Sequence, residues 1–196
     1  MKIFIPLILL VSTYSYAKTL TLSREVFRTV PFSTQYSEDG ALIRSVHYPS
    51  VNALIPQLNS LYKLDLKDRG EAHITIITPP EFQSSLGRVF TINEMLARYS
   101  STIQTLPFEV VCVGSRKSSN GQNLVFYLVI KSSELTNIRF ELSQEAKLRA
   151  ESRGIPLMFK PEAFWPHITI GYIKGDVFEF TKGPESCLPD VELVIK

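Results

Sequence analysis

The chain has 196 residues and a formal net charge of +2, with 44% hydrophobic and 20% charged residues. This composition is ordinary for a globular protein, and the length suits one domain with a substantial core. The near-neutral charge excludes a basic tail or a surface that coats polyanions, so any contact with nucleic acid must be local.

The start of the chain has the pattern of a secretory signal. Lys2 gives a positive start, residues 3–11 form a short apolar run, and residues 15–17 (Ser-Tyr-Ala) resemble a cleavage site. The apolar run is too short to span a bilayer comfortably. We therefore predict a signal peptide over residues 1–17 and a single mature domain over 18–196. This predicts a periplasmic or secreted protein with no stable membrane insertion after cleavage.

The two cysteines, Cys112 and Cys187, would meet an oxidising compartment if the chain is exported. One disulfide is possible, and two buried free thiols are the alternative that the sequence leaves open. Sequence alone does not show whether the two Cβ atoms approach each other.

The sequence of the first half of the chain predicts several strands, the turns between them and one helix. Proline cannot donate to a strand ladder, so Pro79 ends the last of these strands. The predicted elements are a strand or arm at 20–30, a turn at 37–40, a strand at 41–47, a helix at about 53–63 and a strand at 72–77.

The second half begins with the best-marked helix. Residues 91–94 (Thr-Ile-Asn-Glu) form a capping box, and Phe90 can pack onto Met95 across it. The elements predicted after this helix are a hairpin of strands 108–114 and 123–130, a helix at 133–153, and strands at 165–172, 176–181 and 191–195.

One short phrase occurs twice: residues 73–76 and residues 167–170 both read His-Ile-Thr-Ile. Side chains alternate faces along a strand, so each copy presents an imidazole and a hydroxyl on one face and two isoleucines on the other. The repeat predicts an α+β fold of two pseudo-symmetric, antiparallel-sheet lobes with helices on the outside. We expect the two motif strands to face a central cleft.

Two imidazoles across a cleft suit acid–base chemistry at phosphorus. A neutral histidine can act as the general base and a protonated one as the general acid. The predicted catalytic residues are His73, Thr75, His167 and Thr169, with the hydroxyls bound to phosphate oxygens. We predict no metal and no cofactor, because the histidines lack companions at ligand spacing.

Three residues of the second motif strand are predicted to contact substrate. Trp165 and Gly171 share the face of His167, so the indole could wall the cleft and stack on a base while the glycine leaves room for a ligand. Tyr172 adjoins them, although it lies outside the alternation that defines the cleft.

The paired His-x-Thr-x strands resemble those of the two-histidine (2H) phosphoesterase superfamily, which includes 2′-5′ RNA ligase-like proteins and cyclic phosphodiesterases. Residues 72–81 (Ala-His-Ile-Thr-Ile-Ile-Thr-Pro-Pro-Glu) are closest to the Swiss-army-knife type. The resemblance implies a bilobal α+β fold and the same four catalytic residues. It also implies metal-independent hydrolysis of a 2′,3′-cyclic phosphate or a 2′-5′ linkage in a nucleotide or RNA end.

Two other interpretations remain open at this stage. An exported, non-catalytic module could hold a nucleotide or phosphate in the same cleft, or a secreted structural protein could carry the repeat by coincidence. Two proton-transfer groups favour the enzyme, because binding alone does not need them. We expect a monomer.

Overall fold

A computed structural model describes residues 17–36 and 38–196. The predicted signal peptide therefore lies, apart from Ala17, outside the described residues. Within the described ranges the strands are β1 (Lys18–Leu22), β2 (Leu42–Ser45), β3 (His73–Ile77), β4 (Glu109–Lys117), β5 (Leu124–Lys131), β6 (His167–Tyr172) and β7 (Val191–Ile195). The helices are α1 (Tyr48–Asn52), α2 (Leu54–Tyr62), α3 (Pro79–Ser84), α4 (Ile92–Thr105) and α5 (Ser133–Ser152).

Local sequence signals explain where the long helices begin. The Thr91 hydroxyl accepts a hydrogen bond from the Glu94 backbone N–H, and the Glu94 carboxylate accepts one from the Thr91 backbone N–H, as the capping box predicts. Ser132 caps α5 by accepting a hydrogen bond from the backbone N–H of Leu135. Both starts are confirmed.

The main sheet has five strands in the order β2-β3-β6-β5-β4, all antiparallel to their neighbours. The two motif strands, β3 and β6, are therefore adjacent, and Ile74 pairs with Ile168. The predicted α+β class and antiparallel sheet are confirmed. The pseudo-two-fold arrangement of two lobes remains a prediction, because both motif strands belong to one continuous sheet.

The two faces of this sheet have different coverings. On one face α4 packs on β2, α5 on β3 and α2 on β6. The motif isoleucines (Ile74, Ile76, Ile168 and Ile170) lie at most 2% exposed in this core. On the other face Val125, Tyr127 and Val129 pack with Val177, which belongs to the segment after β6. The motif histidines and threonines share this second face.

A separate pair of parallel strands joins the two ends of the described chain. Strand β1 pairs with β7 from Lys18 opposite Val191 to Leu22 opposite Ile195. The Gln57 side chain on α2 binds both the backbone N–H and the carbonyl of Thr21, at 2.8 and 2.9 Å, which fixes this pair against the helix.

The predicted strand at 176–181 is wrong, because this segment has no strand pairing. Its polar groups are bound by side chains instead. The Asp176 carboxylate accepts a hydrogen bond from the Val177 backbone N–H at 2.7 Å and pairs with side chains from elsewhere. Residues 173–190 thus form a long connection that folds over the polar face of the sheet.

The structure decides between the two alternatives for the cysteines. Cys112 on β4 and Cys187 in the 173–190 connection form a disulfide, with Cα atoms 5.8 Å apart. The bond attaches the connection to the edge strand β4. The backbone N–H of Leu188 also donates to the Val113 carbonyl at 2.9 Å.

Reducing this disulfide should lower the free energy of unfolding by about 2–4 kcal/mol, because the bond closes a loop of 75 residues. Thermal unfolding with and without dithiothreitol measures the effect. The Cys112→Ser/Cys187→Ser variant is the control, and its melting temperature should not respond to the reductant. An equal response of both proteins would contradict the prediction.

Candidate active site

The antiparallel register places each motif histidine beside the other strand's threonine. Because Ile74 pairs with Ile168, His73 stands across from Thr169 and Thr75 stands across from His167. Burial alternates along both strands, with the isoleucines buried and the histidines and threonines half-buried. The structure therefore brings the four predicted catalytic residues together on one face of the sheet.

These four side chains line a cleft of about 270 Å³. The other residues around it come from the segment before β3, the start of α3, helix α5, the segment before β6 and the 173–190 connection. They include Arg69, Glu81, Arg139, Trp165, Asp176, Phe178, Phe180 and Lys182. Prediction from the sequence identified only Trp165 among these eight as part of the site.

His73 is oriented by a carboxylate. Its Nδ1 lies 2.7 Å from Oε2 of Glu71, and an ionised carboxylate only accepts hydrogen bonds, so Nδ1 carries a proton. Nε2 is left for a ligand in the cleft. The Tyr36 hydroxyl donates to the other oxygen of Glu71 at 3.1 Å, and the Tyr36 ring lies 5.1 Å from the His73 ring. These contacts fix the imidazole in one orientation.

His167 has a different set of partners. Its Nδ1 donates to the Trp165 carbonyl at 2.9 Å, because a carbonyl oxygen can only accept. Its Nε2 lies 3.2 Å from the Lys182 ammonium, which can only donate. The ring is therefore neutral, with its proton on Nδ1. Burial of the ring and the neighbouring Lys182 charge lower the pKa of His167 from 6.5 to about 4.

The lowered pKa of His167 predicts acid sensitivity of the folded state. Between pH 6.5 and about 4 the unfolded chain binds more protons at this ring than the folded protein does, so stability falls as the pH falls through this window. Denaturant unfolding across the window should show the decline, and the His167→Gln variant should show a shallower one. Identical slopes in the two proteins would contradict this origin.

A buried charge cluster lies beside His167. Asp176 binds Lys182 through Oδ1 and Arg69 through Oδ2, both at 2.7 Å. The side chains of Asp176 and Lys182 are each 4% exposed, and Arg69 is 25% exposed. Two cations around one carboxylate give this cluster one excess positive charge. Thr169 reaches the same carboxylate, with its hydroxyl donating to Oδ2 at 3.4 Å.

Three exposed aromatic side chains surround the opening of the cleft. Trp165 is 45% exposed, Phe178 80% and Phe180 45%. An apolar ring in water is an available stacking surface. Trp165 thus lies where the sequence predicts a wall of the cleft, although the strand itself begins two residues later.

Gly171 and Tyr172 do not lie among the residues that line the cleft. A bulge between β5 and β6 breaks the alternation, because Tyr127 pairs with Thr169 and Phe126 with Gly171. A Cβ on Gly171 would lie 3.0 Å from the Lys67 carbonyl oxygen, so the glycine leaves room for neighbouring backbone rather than for a ligand. Tyr172 pairs with Lys67 through two backbone hydrogen bonds.

Arg139 supports the floor of the cleft from α5. Its guanidinium binds Glu81 at 2.7 Å and donates to the Ile76 carbonyl at 2.6 Å. It also donates to three carbonyls of the segment before β6, those of Lys160, Pro161 and Ala163. Glu81 also completes a capping box with Thr78 at the start of α3. One buried side chain thus joins α3, β3 and the chain leading to the second motif.

Sequence signals for the residues that were missed differ in strength. Glu71 lies two residues before His73 and could have been found by extending the alternation backwards. Asp176 and Lys182 lie in an irregular connection, where periodicity gives no information about side-chain direction.

Among residues 17–36 and 38–196, no group of three or more histidine, cysteine, aspartate or glutamate side chains is placed to hold a metal ion.

Comparison with protein families gives one match over most of the chain. The model described as "Swiss Army Knife, 2H phosphoesterase domain" matches residues 45–178. The matched segment contains both motif strands and Asp176 and ends before Lys182. No curated protein matches the chain.

In the part of the chain that the structure describes, no helix is long and apolar enough to cross a membrane.

Proposed function

We propose, because the chain belongs to the Swiss Army Knife family of 2H phosphoesterase domains, that it hydrolyses phosphodiesters with two histidines as general base and general acid. The proposed substrate is a nucleotide or RNA end with a 2′,3′-cyclic phosphate or a 2′-5′ linkage. The observation that carries the proposal is that two histidines line one cleft with different partners: a carboxylate binds Nδ1 of His73, whereas a carbonyl and an ammonium bind the two nitrogens of His167.

His167 is the proposed base. Its Nδ1 proton is held by a carbonyl and its ring is neutral across the neutral pH range, so Nε2 has the lone pair that takes the proton once Lys182 no longer donates to it. A water oxygen attacks phosphorus while its proton moves to this nitrogen.

His73 is the proposed acid. Glu71 accepts a hydrogen bond from Nδ1–H, and in the proposed reaction the ring starts with a second proton on Nε2, which it donates. The bond from phosphorus to a ribose oxygen breaks, and this proton goes to the departing oxygen. The product is a phosphate monoester, and the proton on His167 returns to His73 through solvent. The two imidazoles supply both proton transfers, so the proposed reaction uses no metal.

Binding of the phosphate is assigned to Thr75 and Thr169, whose hydroxyls can donate to non-bridging oxygens. For Thr169 this replaces its long, 3.4 Å hydrogen bond to Asp176. The excess positive charge of the Arg69–Asp176–Lys182 cluster supports an anionic ligand at this place. The exposed rings of Trp165, Phe178 and Phe180 support a nucleobase at the opening.

The proposal extends to the compartment and the assembly state of the protein. The disulfide supports an exported protein, periplasmic or secreted, because disulfides persist in oxidising compartments. The two-lobed interpretation takes β2–β3 and β4–β5–β6 as the halves, each with one His–Thr pair. We propose that the protein acts as a monomer.

The test is incubation of the chelator-treated protein with the four nucleoside 2′,3′-cyclic phosphates and a 2′-5′-linked dinucleotide. We expect hydrolysis of at least one of them, with no activity in the His73→Ala/His167→Ala variant. Binding without turnover in the wild type would instead favour the non-catalytic nucleotide-binding module.

A further inference from the structure

We propose that Lys182 is a phosphate-binding and positioning residue that occupies Nε2 of His167 in the free protein and moves to a phosphate oxygen when substrate binds. This inference rests on the proposed function, because it concerns the same cleft. Lys182 lies outside the matched residues 45–178, so the family match does not assign it.

The first support is the burial of the lysine. Its side chain is 4% exposed, and removing an ammonium from water is costly. Its partner Asp176 already forms an ion pair with Arg69, so the carboxylate does not need a second cation. Burial lowers the pKa of Lys182, and the Asp176 carboxylate opposes that effect. An anion bound in the cleft would neutralise the excess positive charge of the Arg69–Asp176–Lys182 cluster.

The second support is the hydrogen bonding of the ammonium. It has three N–H donors, of which Asp176 takes one at 2.7 Å and Nε2 of His167 takes one at 3.2 Å. The third remains for a ligand, since Lys182 lines the cleft. The longer and weaker of the two bonds is the one to His167, so it is the bond that a phosphate oxygen would replace.

The third support is that His167 needs a free lone pair on Nε2 to act as a base. A lone pair that already accepts a hydrogen bond from Lys182 cannot take a proton from water. The ammonium must therefore leave Nε2 before His167 can act. A phosphodiester carries one negative charge and neutralises the cluster as it draws the ammonium away, so substrate binding itself frees the base.

The charged and titratable neighbours of His167 are few. Lys182 and Asp176 face it from the 173–190 connection, His73 faces it from β3, and the Tyr127 ring lies 5.6 Å away on β5. Of these, Lys182 is the one in hydrogen-bond contact with Nε2. Its removal should therefore raise the pKa of the ring, while burial continues to hold that pKa below the usual value.

The experiment follows the imidazole nitrogens of His167 by nuclear magnetic resonance, which needs no turnover. Without ligand, the midpoint of the wild-type titration should lie near 4, and Lys182→Met should raise it, although burial of the ring keeps it below 6.5. Lys182→Arg should keep it low. The control Lys174→Met removes an exposed lysine of the same connection and should change nothing. Equal midpoints in wild type and Lys182→Met would overturn the proposal.

Inorganic phosphate is the second probe, and it works on the wild type alone. Its addition at neutral pH should shift the Nε2 resonance of His167 as the lysine bond is lost, and an unchanged resonance would overturn the proposal. Lys182→Met should bind phosphate about 10-fold or more weakly. If these effects appear while no cyclic phosphate is hydrolysed, the proposed function fails and the role of Lys182 in anion binding stands.

Discussion

Replacing either His73 or His167 by alanine should lower kcat for phosphodiester hydrolysis by about 10²–10⁴-fold, the usual worth of a general acid or base. The Michaelis constant should change little, because the hydroxyls and the cation cluster still bind the phosphate. The two variants should differ in pH dependence. In the pH profile of kcat/KM, which reports the free enzyme, His167→Ala should lose the limb that rises with pH from about 4, and His73→Ala should keep it.

The third histidine is the matched control for this comparison. His47 precedes α1 and its Nδ1 lies 2.7 Å from the Ser50 hydroxyl, outside the residues that line the cleft. His47→Ala should retain wild-type kcat. A loss in His47→Ala as large as that in His73→Ala would contradict the assignment of the two motif histidines.

Replacing Arg139 by methionine should lower the free energy of unfolding by about 3–5 kcal/mol, as expected when one member of a buried ion pair is removed. The side chain is 1% exposed, and its loss leaves Glu81 and four backbone carbonyls without this donor. The guanidinium also stacks against the rings of Phe159 and Phe164, with its central carbon 4.8 and 4.9 Å from their centroids. Denaturant titration followed by fluorescence measures the change.

Arg149 provides the comparison on the same helix. It forms ion pairs with Glu94 and Glu145, but its side chain is 31% exposed and water screens both pairs. Arg149→Met should therefore cost only about 0–1 kcal/mol. If Arg139→Met and Arg149→Met lower the free energy of unfolding equally, burial of the guanidinium does not determine how much each arginine contributes to stability.

The parts of the fold that the sequence predicted well have short-range causes. The alternation of polar and β-branched residues in the two motifs depends only on strand geometry, and the predicted capping box of α4 depends on Thr91 and Glu94, three positions apart. The helices α4 and α5 and the hairpin of β4 and β5 follow from the same kind of local pattern.

The parts that the sequence did not predict depend on contacts between distant segments. Lys182 reaches His167 only because the 173–190 connection folds over the sheet and is fixed by the disulfide. The position of this connection also explains why residues 176–181 have a strand-like sequence but form no strand. Val177 is buried against β5, while the Asp176 carboxylate binds Arg69. Gly171 was misplaced because a bulge, invisible in the sequence, interrupts the alternation.

In the proposed mechanism one phosphate lies between the imidazoles of His73 and His167. Titration with a nucleoside 2′-monophosphate, with the imidazole nitrogens of all three histidines observed by nuclear magnetic resonance, tests it most directly. We expect the resonances of His73 and His167 to move together with one dissociation constant, while those of His47 stay unchanged. Saturable binding that moves neither motif histidine would place the ligand elsewhere and contradict the account.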